Sequence, residues 1–203
     1  MMYQIFITPL NPPLIKGRNK KMKKWHNEPP DWKHQEQTLS VTSGLKTDFW
    51  RKTHYGFIRD NGHFYYQEVT GNFRADVKII GKYEVLYDQA GLMIRENDLT
   101  WLKCGIEFVN DVQYASAVVT RDYSDWSVVQ LPQNPAYLWL RLERFEGAVE
   151  VKYSLDGEQY TMLRLAYLSE AQTLQVGPMC ASPEREGFQV IFEDFQITPL
   201  IDV

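Results

Sequence analysis

Residues 99–110 read "LTWLKCGIEFVN", and their alternation decides the fold. At period two, Leu102, Cys104, Ile106 and Phe108 share one face, and Trp101, Lys103, Gly105 and Glu107 share the other. The first face is a core. The second sets an aromatic, a cation and an acid in one row, which is more chemistry than a face that only meets water requires.

The same period runs outward from this segment. "NFRADVKII" places Phe73, Ala75, Val77 and Ile79 opposite Arg74, Asp76 and Lys78. "QAGLMIR" sets Ala90, Leu92 and Ile94 against Gln89, Met93 and Arg95, and "YLWLRLER" sets Leu138, Leu140 and Leu142 against Trp139, Arg141 and Glu143. "AVEVKYS" alternates Val149, Val151 and Tyr153 with Glu150 and Lys152. Turn pairs such as Asn61-Gly62, Asn110-Asp111 and Asp156-Gly157 separate these runs, and Asp-Gly supplies the positive φ angles of a tight hairpin. Further strands are expected over 39–43, 64–70, 112–121, 126–130, 160–165, 174–178 and 188–197. Roughly a dozen strands at this spacing predict an all-β sandwich or barrel. Only "YLSEAQTLQ" has room for a helical turn. "SGLKTDFWRKTHYGFIRDNGHFYY" is rich in aromatics without clean alternation, and a loop of that length is expected to rim any site.

Composition bounds the function. The 203 residues carry a formal charge of −4, so neither nucleic acid nor an anionic membrane is an expected partner. No apolar run approaches the ~20 residues of a membrane span. Residues 1–21 are expected to be a disordered extension or an early start, because Pro9, Pro12 and Pro13 break the apolar stretch and the basic residues follow it. Residues 22–203 are then expected to form one domain. With two cysteines, Cys104 and Cys180, a disulfide framework is not expected; a buried Cys104 thiol and a cytoplasmic location are.

The stretches "WHNEPPDW", "TDFWRKTHYGFIRDNGHF", "YDQAGLMIR", "WLKCGIEF" and "VVTRDYSDWS" resemble the concanavalin A-like, regulation-of-enolase-like family, over about 25–199. The resemblance implies a two-sheet antiparallel jelly roll of lectin and glucanase type, with one concave sheet. It implies no reaction.

Candidate site residues follow from the outward rows. If strands 89–95, 101–108 and 137–143 lie in one sheet, their outer faces form a single surface. Trp101 and Trp139 would be platforms there, with Lys103, Glu107 and Arg141 as polar groups and Gln89, Trp126, His54 and Tyr55 at the edge. A flat aromatic beside charged and amide groups suits a sugar ring, whose C–H patch packs on the ring while its hydroxyls take hydrogen bonds. We therefore expect a carbohydrate or sugar-like small molecule on the concave face.

The alternatives are a carbohydrate-active enzyme with Glu107 as acid or base, or a protein-interaction module without catalysis. Glucanases of this fold take their acids from one strand as Glu-x-Asp-x-x-Glu, a pattern absent here. A partner for Glu107 would have to come from Glu143, Asp88, Asp125 or Asp60. Equally, Glu107 would pair with Lys103 or Arg141 and orient them. His54 and His63 do not have metal-ligand spacing, and no metal or cofactor is expected.

Overall fold

Strands that alternate can bury only one face, so they need a second layer. The computed structural model describes residues 23–201, and the regular elements among them are all β-strands. In chain order these are β1 (Lys24–His26), β2 (Asp31–Gln35), β3 (Thr38–Thr42), β4 (Phe49–Arg51), β5 (Ile58–Asp60), β6 (His63–Thr70), β7 (Phe73–Gly81) and β8 (Gln89–Arg95). They continue as β9 (Thr100–Val109), β10 (Val112–Arg121), β11 (Tyr123–Gln130), β12 (Leu138–Phe145), β13 (Ala148–Ser154), β14 (Thr161–Tyr167), β15 (Thr173–Ala181) and β16 (Gln189–Pro199). One sheet runs β1-β6-β15-β8-β9-β10-β11 and the other β14-β13-β12-β7-β16-β3-β2, while β4 and β5 pair only with each other. Neighbours are antiparallel throughout, as in a jelly-roll sandwich.

The core is the set of inward parities. Ala90, Leu92 and Ile94 of β8 and Leu102, Cys104 and Ile106 of β9 meet Val77 and Ile79 of β7 and Leu138, Leu140 and Leu142 of β12 in one buried cluster. Burying such a Leu or Ile side chain stabilises the fold by ~1.5–3 kcal/mol. Cys104 and Cys180 are both free thiols inside it, and burial pushes Cys104 up to about 12 and Cys180 higher still.

Three expectations are corrected. Strand β12 does not join β8 and β9; it pairs with β7 in the other sheet, with Leu140 opposite Val77 and Arg141 opposite Asp76. Alternation is the same in any sheet, so it carries no information about strand order. Residues 168–172 form no helical turn. The segment between β3 and β6 is not a bare loop, because it contains the β4–β5 hairpin. Those strands are three residues each, too short to show a period. The expected extension, 1–21, lies outside the described residues.

Candidate functional site

Register across the first sheet sorts its outward side chains into rows. Gln89, Glu107, Tyr114 and Gln130 make one row, and Gly91, Gly105, Ser116 and Val128 the next. Met93, Lys103, Val118 and Trp126 follow, then Arg95, Trp101, Thr120 and Ser124.

The hairpin roofs the last two rows. Phe49 and Trp50 form a second apolar cluster with Met93, Trp101, Val118, Phe64 and Met179. Trp101 is 1% exposed, and its ring stands edge-on to Phe49 at 6.2 Å. It points away from the sheet as its parity requires, but into a private core. The expected role of Trp101 as an open platform is therefore corrected.

Polar groups pin the roof. Arg95 donates to both carboxylate oxygens of Asp60 at 2.8 and 2.9 Å, and Arg51 N–H donates to Ser124 Oγ at 2.9 Å. Lys103 is equally committed. Its ammonium donates to Phe49 O at 2.7 Å, to Gln89 Oε1 at 2.6 Å and to Asp48 Oδ1 at 3.5 Å, so its donors are all taken.

The first two rows stay open. A Cβ on Gly105 would stand 2.0 Å from Ala90 O, and one on Gly91 would stand 1.8 Å from Cys104 O, so both positions require glycine. With no side chains at these two positions the sheet carries a shallow depression, partly open to solvent, with enclosed room for about one water molecule. Gln89, Lys103, Gly105, Glu107, Ser116 and Met179 line it. It is not an enclosed pocket of the ~300–1,000 Å³ that holds most small molecules, so only a small polar group enters it and the rest of any ligand lies on the surface around it.

Glu107 is the acid in this trough. It is 8% exposed, Ser116 Oγ donates to its Oε2 at 2.8 Å, and the Trp126 indole N–H donates to Ser116 Oγ at 3.1 Å. Burial pushes its pKa up, outweighing the pull of Lys103, Ser116 and Trp126; the charge of Asp48 adds to the rise. No cation among the described residues lies within 4.0 Å of the Glu107 carboxylate, so it forms no ion pair with Lys103 or Arg141, contrary to that alternative.

Two aromatic residues are hydrogen-bonded to the lining of the trough. Trp126, 36% exposed, stands over Ser116 from the β11 side. On the other side Tyr87, whose backbone carbonyl accepts from Gln89 Nε2 at 3.3 Å, places its hydroxyl 3.5 Å from that of Tyr55 at the hairpin tip. The hydrogen bond with Tyr55, then burial, push the Tyr87 pKa up to about 12, and the charges of Glu107 and Glu184 act in the same direction. His54 meets the Tyr55 ring edge-on at 4.8 Å.

Thus Lys103, Glu107, Gln89 and Trp126 come together, with Tyr55 and His54 at the rim. Trp139 and Arg141 do not. Both lie on the outer face of the other sheet, where Arg141 Nε donates to Asp76 Oδ1 at 2.7 Å and its guanidinium lies 4.0 Å from the Tyr160 ring centroid. Their place in the site is corrected because β12 belongs to that sheet. None of the four carboxylates named as partners for Glu107 serves either. Glu143 binds Lys152, Asp88 is sealed by Ser182 and Arg185, Asp125 binds Arg164 and Asp60 binds Arg95.

The carboxylate that reaches this face is Asp48, through Gln89 and Lys103. Nothing local marked it beyond its place in the long aromatic segment. Ser116 was readable from the outward parity of "QYASAVV", but Tyr87 sits in a turn and gave no signal. No group of three or more metal-ligating side chains occurs among the described residues, and none of their helices is long and apolar enough to cross a membrane.

Comparison with known proteins agrees with this architecture. The chain is 37% identical over 187 residues to "Regulation of enolase protein 1" of Saccharomyces cerevisiae, covering 91% of this chain and 94% of that protein. A crystal structure of a functionally unknown protein from Saccharomyces cerevisiae superposes with a TM-score of 0.86 at 38% identity, over 89% of this chain and 97% of that one. A legume lectin-like domain from Entamoeba histolytica shares the fold at 11% identity, with a TM-score of 0.59 over 88% of this chain and 90% of that domain. The family described as protein of unknown function, DUF1349, matches residues 25–200, and the chain belongs to it.

Proposed function

We propose that this protein binds one carbohydrate ring, or a sugar-like small molecule, in the trough over Gly91 and Gly105. The observation that carries this is the buried carboxyl of Glu107 lining a shallow depression beside Gly105, with the half-exposed Trp126 indole hydrogen-bonded to the same Ser116. The indole offers a flat apolar face, while Glu107, Ser116 and Gln89 offer convergent hydrogen-bonding groups to hydroxyls. Lys103 positions Gln89 and the hairpin rather than meeting ligand, since its donors are already used. The lectin-like fold is compatible with this reading.

A thermal-shift screen of the full chain against monosaccharides tests it, since a ligand that binds the native state raises the melting temperature by mass action. We expect a rise with one sugar class that disappears in Trp126→Ala. A panel without any shift, on protein that melts cooperatively, rejects the proposal.

A second reading, a protein-binding module, draws on the name of the yeast relative. Exposed Met162, Leu165 and Tyr167 on β14, at an edge of the second sheet, favour it. In that case Leu165→Lys abolishes capture of the partner and leaves sugar binding untouched.

A further inference from the structure

The charges around the trough are unbalanced, and the imbalance selects among sugars. Glu107 is more than nine-tenths buried and lines the depression, and within 3.5 Å its carboxyl receives one hydrogen bond, from Ser116 Oγ. Asp48 is the second acid on the same face, held against Gln89 and Lys103. Lys103 is the cation lining the trough, and its donors are spent on Phe49 O, Gln89 Oε1 and Asp48. Of the cations on the flanking segments, Lys52 is held by Asp122 and Arg185 by Asp88 and Glu84, while Arg59 lies over the Phe57 ring. A carboxylate or phosphate on the ligand would find the donors of the lining cation Lys103 already used, and would face Glu107 and Asp48. Trp126, which donates to the same Ser116 that donates to Glu107, is the nearby half-exposed aromatic, and aromatic faces attract cations.

We propose that the preferred ligand is a sugar bearing a protonated primary amine, such as a hexosamine, with its ammonium against Glu107 and its ring beside Trp126. This deepens the sugar-binding reading and rests on it. The ammonium supplies the counter-charge that Glu107 lacks, and its N–H groups reach the carboxyl and the Tyr87 side of the trough. Neutral hexoses satisfy the hydrogen bonds without that charge pairing, and hexuronates are repelled.

One consequence separates this ligand from its neutral analogue. The groups facing Glu107 are Lys103 and Asp48, with Tyr87 at the rim and Ser116 and Trp126 as donors. Burial raises the Glu107 pKa and a bound ammonium lowers it, so hexosamine binding releases protons where the pH lies between the two values. Hexose binding does not.

The test is isothermal titration of the full chain with glucosamine, glucose, N-acetylglucosamine and glucuronate, in two buffers of different ionisation enthalpy. We expect glucosamine to bind about tenfold more tightly than glucose, with net proton release, and glucuronate not to bind. N-acetylglucosamine, whose amide is uncharged, must lose the advantage; it serves as a control on the ligand should Glu107→Gln fold poorly. In a folded Glu107→Gln variant, glucosamine and glucose should bind alike. Equal affinity of glucosamine and glucose in the native protein, or a preference for glucuronate, overturns the amine proposal while leaving sugar binding intact. Failure of all four sugars to bind removes both.

Discussion

Gly105 and Glu107 do opposite things with the same outward parity. Gly105 exists to be absent, since any Cβ would meet Ala90 O at 2.0 Å, across a ladder that cannot yield without losing hydrogen bonds. Gly105→Ala is expected to destabilise the protein toward or beyond the upper end of the ~1–3 kcal/mol typical of overpacking, read as the midpoint in urea. Glu107, by contrast, holds a carboxyl where burial disfavours its charge. A folded-state pKa above the unfolded one means that this group withdraws stability as pH rises out of the ordinary carboxylate range. The melting temperature of Glu107→Gln should therefore match the parent near pH ~4 and exceed it at neutral pH. A lower value at neutral pH would mean that the carboxylate is a structural anchor. Lys103, Glu107 and Gln89 were legible from alternation. The void between them was not, because a glycine in a strand is silent until its cross-strand neighbours are known.

The hairpin β4–β5 turns half of the outer face into a core. Trp101 is its centrepiece, and Trp101→Ala is expected to cost about 3–5 kcal/mol, as for other large buried aromatics. Sequence parity placed Trp101 outward correctly. It missed the roof because neither strand of the hairpin is long enough to alternate. The roof is held by Asp60, whose burial works to raise its pKa but is outweighed by hydrogen bonds and charge from His26 and Arg95, which hold it below the usual value. Stability from this group is present above the unfolded pKa and is lost as pH falls through the folded one. Amide protection factors across 48–62 should accordingly fall at acid pH before those of the sheets, and Asp60→Asn should show that lower protection already at neutral pH. Uniform protection of the hairpin in Asp60→Asn would mean that the apolar cluster alone holds it.

The two sheets divide labour between an open trough and a closed charge lattice. The outer face of the second sheet pairs Arg141 with Asp76, Lys78 with Glu193, and Lys152 with both Glu143 and Glu150. Its polar groups answer one another. The class of fold and most strands were readable from period two, and the resemblance supplied the jelly roll. Which rows lie side by side was not readable, since antiparallel strands distant in sequence pair without any local mark. That single gap put Trp139 and Arg141 in the wrong sheet. The difference between the sheets is also the most direct test of the central claim. In a two-dimensional amide and indole NMR titration of the full chain with glucosamine and glucose, the Trp126 indole and the amides of Gly105, Glu107 and Ser116 should shift together, while the Trp139 indole stays still. A titration that moves Trp139 and leaves Trp126 and Gly105 unchanged, or moves neither, would contradict the trough as the binding site.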